Sequence, residues 1–321
     1  MSVKTMVQSL NEALYSLMAE DEDIILLGED IGRDGGVFRV TDGLQAKYGE
    51  NRVIDTPLNE LGIVGMGIGM AMYGLRPIAE IQFQDFIFPS FDQIVNQMAK
   101  IRYRTGNQFQ VPMVIRTPYG GGVKGGLYHS QSGESYFVHT AGLRVVTPSN
   151  PYDAKGLLVS SVRSGDPVIF LEPKKLYRSI KMEVPDDLYQ IELGKARLLR
   201  EGNRISVITY GSMVPIVETV ISKNNIDADI LDLRTLLPMD LEAILKSVKK
   251  TGRVIIIHEA PRTLGIGAEI SALISERAID YLLSPIIRVT GPDIPFPYVN
   301  EDFYIPNEKR IMAAINKAIN Y

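Results

Sequence analysis

The chain contains no cysteine. That excludes disulfides, thiolate nucleophiles, iron–sulfur clusters and cysteine-based zinc sites together, and it fits a reducing compartment. Histidine is scarce as well: His129, His139 and His258 are the only three. They lie far apart and none has H-x-x-x-H spacing, so a histidine-rich metal centre is not expected. Charge of one sign is missing too. Thirty-four Lys and Arg stand against 38 Asp and Glu, scattered along the chain, so neither a nucleic-acid surface nor a polybasic membrane patch is expected. No uninterrupted apolar run reaches about 18 residues, which argues against a helical membrane span. The stretch MSVKTMVQSLNEALYSLMAEDED has neither the apolar core nor the small-residue cleavage site of a signal peptide. It reads as an amphipathic helix with Met6, Leu10, Leu14, Leu17 and Met18 on one face. Cytoplasm is the location these absences favour.

Several nucleotide and hydrolase signatures are also absent. Gly65-Met66-Gly67-Ile68-Gly69 has the wrong spacing for G-x-G-x-x-G, and Gly265-Ile266-Gly267 lacks the third glycine. There is no Walker A sequence and no G-x-S-x-G elbow, so dinucleotide, ATP and serine-hydrolase readings fall away.

What remains is an ordinary globular composition, 45% hydrophobic and 22% charged over 321 residues, a length that favours two domains. Short apolar, β-branched runs alternate with helical patterns. Strands are predicted at Ile24–Leu27, Arg52–Asp55, Ile78–Phe83, Val111–Arg116, Leu143–Thr147 and Val168–Glu172, with the continuous apolar character of parallel strands buried on both faces. Ser90 and Gln93 suggest a capping box opening a helix with Phe91, Ile94, Val95, Met98 and Ile101 on one face. Another helix is predicted from about Tyr152 to Val162. The charged stretch from 173 to 203 breaks the rhythm, after which strands at Ile205–Thr209, Asp229–Leu233, Val254–His258 and Ile286–Val289 alternate with helices. The expected architecture is α/β, with two mainly parallel-sheet domains at 1–180 and 204–321 joined by a linker at 181–203.

In parallel sheets ligands bind beyond the carboxyl ends of the strands. That rule selects GEDIGRDGG (28–36), TPLNE (56–60), QFQDF (82–86), TPYGGGVKGGLYHSQSGES (117–135), TYGSM (209–213) and HEAPRTLGIG (258–267). In IDTPLNELGIVGMGIGMAMYG, Asn59 is a competent N-cap and Glu60 falls in the first helical turn. A first-turn Glu can simply complement the helix dipole. Leu61 to Met72, however, contains no charge, so the helix is expected to be buried all round, with Gly62, Gly65 and Gly69 on one close-packing face. A carboxylate at the end of such a helix would be desolvated and fit for proton exchange near neutral pH. The longest glycine-rich loop, 119–136, is expected to be mobile or sharply folded, and His129 near its end is a candidate for proton transfer or substrate orientation, or else a surface histidine. His258 is expected at a surface or interface, and His139 packed or hydrogen-bonded rather than reactive. Phe83, Phe86, Phe88 and Phe91 either line an apolar pocket or belong to the core.

At these residues the sequence resembles one family from end to end. GGVFRVTDGL, the long run from DTPLNELG to KIRYRTG, PYGGGVKGGLYHSQS, PSNPYDAKGLL, DLRTLLP and HEAPRTLGIGAEI are similar to the β subunit of the decarboxylating first component of 2-oxo acid dehydrogenase complexes. The resemblance implies a pyrimidine-binding domain followed by a transketolase-like C-terminal domain, and thiamine diphosphate as cofactor. Glu60 matches the glutamate that faces the aminopyrimidine ring nitrogen and favours its imino tautomer. Leu58, Gln82 and Phe86 match positions around that ring; branched-chain relatives usually carry Tyr where this chain has Phe86. His129 matches a histidine that serves acyl transfer to a lipoyl group. The G-D-G motif and Asn pair that hold Mg²⁺ and diphosphate are missing, since Gly32-Arg33-Asp34-Gly35 is a different sequence. An α subunit is therefore implied to hold Mg²⁺ and complete the site in an α₂β₂ heterotetramer, which hands its product to a lipoyl-bearing acyltransferase core. Relatives also hold a potassium ion in the region of Ser161, Ser164 and Asp166, although Ser164 replaces the family's Asp. YHSQS and HEAPRTLGIGAE lean toward branched-chain substrates, with pyruvate as the alternative. The pyrimidine half of a transketolase-type enzyme and a non-catalytic assembly subunit are the competing readings.

Overall fold

A computed structural model describes all residues from 1 to 321. Its contacts divide the chain into two compact units, Met1–Tyr119 with Tyr136–Leu193, and Gly120–Ser135 with Gly194–Tyr321. The glycine-rich loop thus belongs to the second unit although it lies within the first half of the sequence.

The first unit begins with β1 (Ser2–Thr5) and α1 (Met6–Glu20), then β2 (Ile24–Gly28), α2 (Leu44–Tyr48), β3 (Val53–Asp55), α3 (Glu60–Met72), β4 (Arg76–Glu80), α4 (Ile101–Arg104) and β5 (Val114–Tyr119). After the loop come α5 (Glu134–Val138), β6 (Arg144–Val146), α6 (Pro151–Arg163), β7 (Val168–Pro173) and β8 (Lys181–Val184). The parallel strands lie in the order β6-β7-β5-β4-β2-β3. β2 and β7 are buried along their whole length, which is why they read as continuous apolar runs rather than alternating ones. β1 and β8 form a separate antiparallel pair.

Local sequence explains the helix starts. Thr5 and Gln8 form a reciprocal capping box at α1, and Asn59 and Asn150 cap α3 and α6 through their side-chain oxygens, each satisfying a backbone N–H that the helix leaves open. The predicted apolar face of α1 is the buried one: Met6, Leu10, Leu14, Leu17 and Met18 are all at most 2% exposed. α1 packs on α6, where Lys155 is completely buried. Its ammonium group meets Glu12 Oε1 at 2.9 Å and the carbonyls of Pro185 and Asp186 at 2.7 and 2.8 Å. A buried cation needs such a set of acceptors, and this one ties the segment after β8 to the unit.

Two local expectations change. Ser90 does not cap a helix. Its hydroxyl donates to the carbonyl of Ile87 at 2.7 Å, and the chain runs through two 3-10 turns (Gln84–Phe86 and Phe88–Ser90) into a π-helical segment, Gln93–Met98. Such wide turns are rare in ordinary helices and recur at functional edges. Nor is α3 buried all round. Ile63, Val64, Gly67, Ile68 and Ala71 are buried, whereas Leu61 and Met66 are exposed. The close-packing glycine is Gly67, where an added Cβ would lie 2.9 Å from the sulfur of Met113. A Cβ at Gly69 would meet nothing within 4 Å, and one at Gly65 would have only the Gln93 oxygen, at 3.9 Å. Gly65 and Gly69 are therefore uncovered within this chain, whereas a Cβ at Gly62 would lie 2.9 Å from the capping side chain of Asn59.

The second unit contains β9 (Arg197–Arg200), β10 (Ile205–Thr209), α7 (Met213–Lys223), β11 (Ala228–Asp232), β12 (Thr235–Leu237), α8 (Leu241–Thr251), β13 (Val254–Pro261), α9 (Ile266–Ala278), β14 (Ile287–Gly291), α10 (Glu301–Tyr304) and α11 (Glu308–Ile319). Its sheet runs β14-β13-β10-β11-β9, parallel except for β9, which is antiparallel to β11. α7 and α11 cover one face, closing a core of β-branched side chains that includes Val207, Val217, Ile257 and Ile311. Asp240 and Asn307 cap α8 and α11.

His258 is fully buried on β13, contrary to its expected place at a surface or interface. Burial, above all, brings its imidazole down to about 4, against an opposing hydrogen bond to Ala260. It is neutral near pH 7, and Nε2 accepts the N–H of Gly267 at 3.2 Å in the first turn of α9. A Cβ at Gly267 would fall 2.8 Å from that nitrogen. The G-I-G sequence thus makes room for a histidine that caps a helix.

Candidate active site

Because β2, β3 and β4 are parallel, the segments following them emerge at one edge of the first sheet. Glu29 and Asp30 follow β2, TPLN and Glu60 follow β3, and Gln82 follows β4. Glu60 is the first residue of α3. Asn59 accepts the N–H of Gly62 at 3.0 Å, fixing the turn, and the positive end of the helix dipole favours a carboxylate here. Glu60 is half-buried rather than buried.

The residue that sequence reasoning missed is Glu29. It is 7% exposed, and its Oε1 has no hydrogen-bond partner. Burial first, and the charge of Glu60 second, push its carboxyl up, while the backbone N–H of Asn59 pulls the other way. A neighbouring negative charge and the loss of water both disfavour the charged form of a carboxyl group. The available signal was an acid directly after the apolar strand IILLG.

Leu58 is 81% exposed. The Gln82 amide donates to Asp30 Oδ2 at 2.9 Å. Phe86 is half-buried, with its ring 5.5 Å edge-on from Phe83, which in turn lies 5.5 Å from Phe38. Phe88 and Phe91 also face Tyr136, at 5.5 and 6.1 Å. The GRDG stretch serves the fold, with the N–H of Gly32 donating to Asp55 Oδ1 at 2.6 Å.

Beneath this edge lies an ionic group spanning three strands. Arg116 on β5, fully buried, donates to Glu80 of β4 at 2.8 Å and to Glu172 of β7 at 2.9 Å. The Tyr177 hydroxyl donates to Glu172 at 2.5 Å. Burial alone would pull the guanidinium down; the Glu172 and Glu80 charges override it and hold it above its ordinary value.

His129 belongs to the second unit. It is half-buried and follows a 3-10 turn, Gly126–Tyr128. A Cβ at Gly125 would lie 2.6 Å from that of His129, so this turn requires glycine. Tyr128 beside it is exposed. The expectation of a mobile or sharply folded loop resolves toward the folded form. Glu134 closes the loop: it is 1% exposed and accepts the Tyr210 hydroxyl at 2.5 Å. His139, expected to be packed, is exposed.

In the region expected for potassium the side chains of Ser161, Ser164 and Asp166 are engaged within the protein. The Ser161 hydroxyl donates to the Leu157 carbonyl at 2.7 Å, and Ser164 Oγ accepts the N–H of Asp166 at 3.1 Å. Asp166 pairs with Arg102 at 2.5 Å and Arg144 at 2.7 Å, so its charge is already neutralised by two guanidinium groups. No cluster of three or more His, Asp or Glu side chains could hold a metal ion. No helix is long and apolar enough to cross a membrane.

Comparison with known proteins gives consistent results. Residues 3–180 match the pyrimidine-binding domain of transketolase, and residues 194–311 match the transketolase C-terminal domain. The chain is 46% identical to the 2-oxoisovalerate dehydrogenase subunit beta of Pseudomonas aeruginosa, over 98% of this chain and 95% of the relative. It is 48% identical to the protein of the same name in Bacillus subtilis and 45% identical to the Bacillus subtilis pyruvate dehydrogenase E1 component subunit beta, each over the full length of both chains. Among solved structures it resembles a split-gene transketolase, an inactive beta4 tetramer, with a TM-score of 0.81 at 20% identity over 98% of each chain. That last likeness speaks for the fold alone.

Glu134 generates a pH prediction. Burial, opposed by the Tyr210 hydrogen bond, raises its carboxyl from the ordinary 4.5 to about 7. The folded state then holds this proton more tightly than the unfolded chain. The resulting contribution to stability is complete below about pH 4.5 and is lost as pH rises through about 7. Glu134→Gln stays neutral throughout, so its melting temperature relative to wild type should rise between about pH 5 and pH 8. A difference that stays flat over that interval would contradict the assignment.

Proposed function

The chain belongs to the family of β subunits of 2-oxo acid dehydrogenase first components, and we propose that it is the β subunit of a thiamine diphosphate-dependent enzyme that oxidatively decarboxylates a branched-chain 2-oxo acid of the 3-methyl-2-oxobutanoate type. The observation that carries this reading is the acid pair at the carboxyl edge of the first sheet: Glu60 in the first turn of α3 and the buried Glu29 beside it. An aminopyrimidine needs a carboxyl group at its ring nitrogen and flat apolar surfaces at its faces. Glu60, the exposed Leu58 and the half-buried Phe86 offer those features. Glu60 would hold a proton at the ring nitrogen, and beside it stands Glu29, whose carboxyl is pushed up by burial and by the Glu60 charge. Gln82, fastened to Asp30, keeps the loop after β2 beside it. The cofactor, when bound, supplies the carbanion chemistry of decarboxylation.

This chain supplies half a site. Its acids form no metal-holding cluster, so the Mg²⁺ and diphosphate ligands are assigned to an α subunit, in an α₂β₂ assembly. The uncovered glycine face of α3, with Leu58, Leu61 and Met66 exposed beside it, supports a surface built to be covered by another subunit. A lipoyl-bearing acyltransferase receives the acyl group, and His129, placed on its ordered loop, serves that transfer. Cytoplasm is the proposed location. A non-catalytic assembly role would leave Glu60 without work, and the names of the full-length relatives favour the dehydrogenase over a transketolase-type enzyme.

Three expected outcomes test this reading in enzyme reconstituted with its α subunit. Glu60→Gln should assemble normally yet lose turnover by about 100-fold or more, the scale of a missing general acid–base group; near wild-type decarboxylation would sink the mechanism. His129→Ala should retain decarboxylation with an artificial electron acceptor while transfer to lipoyl protein falls, and equal losses in the two assays would remove the transfer role. In a substrate panel, 3-methyl-2-oxobutanoate should give a higher kcat/KM than pyruvate. The reverse order would reassign the substrate.

A further inference from the structure

The glycine-rich loop that carries His129 is held by carboxylates through its backbone. The N–H of Gly121 donates to Glu259 Oε1, and the N–H of Gly122 donates to Glu301 Oε1. The N–H of Lys124 donates to Glu301 Oε2 at 2.9 Å. Both acids are nearly removed from water, at 3% and 8% exposure. Glu259, near the end of β13, is itself steadied by the Ser212 hydroxyl at 2.6 Å. Glu301 opens α10. Both oxygens of Glu301 are thus used on two N–H groups of one turn, a charge-assisted arrangement about twice as strong as neutral hydrogen bonding.

The glycines make that approach possible. A Cβ at Gly121 would lie 2.5 Å from Glu301 Oε1 and 2.8 Å from both Phe296 and Ile305. A Cβ at Gly126 would collide with the ring of Tyr298, and the backbone there has a φ of 68°. These glycines are sites of close contact with the 296–305 segment, and the loop they form is pre-organised.

We propose that Glu301, with Glu259 in support, is a positioning residue for His129: the two carboxylates grip the backbone at 121–124 and so fix the turn that presents the imidazole five residues on. The proposal rests on the transfer role given to His129. It adds a specific element to it, because neither carboxylate need touch substrate or cofactor to control the rate of transfer.

The test uses the reconstituted α/β enzyme with Glu301→Ala, His129→Ala and the double variant. Glu301→Gln is included because it keeps the side chain's size and one accepting oxygen. Trypsin cleavage after Lys124 and amide hydrogen exchange at 120–126 report on the loop directly. Both should rise about tenfold or more in Glu301→Ala and by less in Glu301→Gln. The kcat for transfer to lipoyl protein should fall about tenfold in Glu301→Ala, with KM for the 2-oxo acid and the artificial-acceptor rate within about twofold of wild type. The double variant should be no slower than His129→Ala alone, since residues acting through one another are non-additive. Unchanged exchange and cleavage at the loop in Glu301→Ala and Glu301→Gln would overturn the clamp, whatever His129 does. Losses that simply add in the double variant would overturn the positioning role. If His129→Ala transfers normally while the loop loosens as expected, the transfer reading fails and the clamp stands.

Discussion

A carboxylate taken out of water must find hydrogen-bond donors or give up its charge, and that requirement shapes the carboxyl edge of each sheet. In the first unit Glu80 and Glu172 are satisfied by Arg116, whose guanidinium reaches across neighbouring strands. In the second, Glu259 and Glu301 are satisfied by backbone N–H groups of a loop, whereas Glu134 has one tyrosine hydroxyl and a second oxygen left bare. Side-chain charge and loop conformation are therefore one problem. Where donors are sufficient, the acid is a fastening. Where they fall short, as at Glu29 with one bare oxygen, the acid becomes a place to keep a proton.

The same accounting clarifies the glycines. Those at 121, 125, 126 and 267 let a carboxylate, an aromatic ring or an imidazole come within contact distance of the backbone. Those at 65 and 69 on α3 meet almost nothing in their own chain. A helix accepts an unrewarded glycine at a cost of about 1 kcal/mol each. A surface that carries several, flanked by exposed leucine and methionine, is consistent with a chain that reaches its full packing only alongside another subunit.

Asp166 shows the same requirement met by side chains alone. Arg102 and Arg144 both reach its carboxylate, and its own N–H donates to Ser164 Oγ, so one acid ties together three stretches of the first unit.

Much was legible in the sequence. Continuous β-branched runs specify strands buried on both faces, a 3.6-residue apolar period specifies α1, and Asn59 announces the helix that Glu60 opens, because each depends only on neighbours along the chain. The parallel order then implies which loops share an edge, and long motifs identify the family. Other features depended on groups distant in sequence. Glu29 looked like one loop acid among several until burial and Glu60 set its proton affinity. His258 looked exposed until α9 placed Gly267 against it. The capping box at Ser90 gave way to 3-10 and π turns. The loop around His129 read as either mobile or sharply folded, because six glycines lower local preference for any one shape. Only the fold brings Glu301, 177 residues from Lys124 along the chain, within reach of its amide. Sequence determines what each segment prefers; desolvation by remote neighbours decides which acids are charged, which glycines are contacts and which loops stand still.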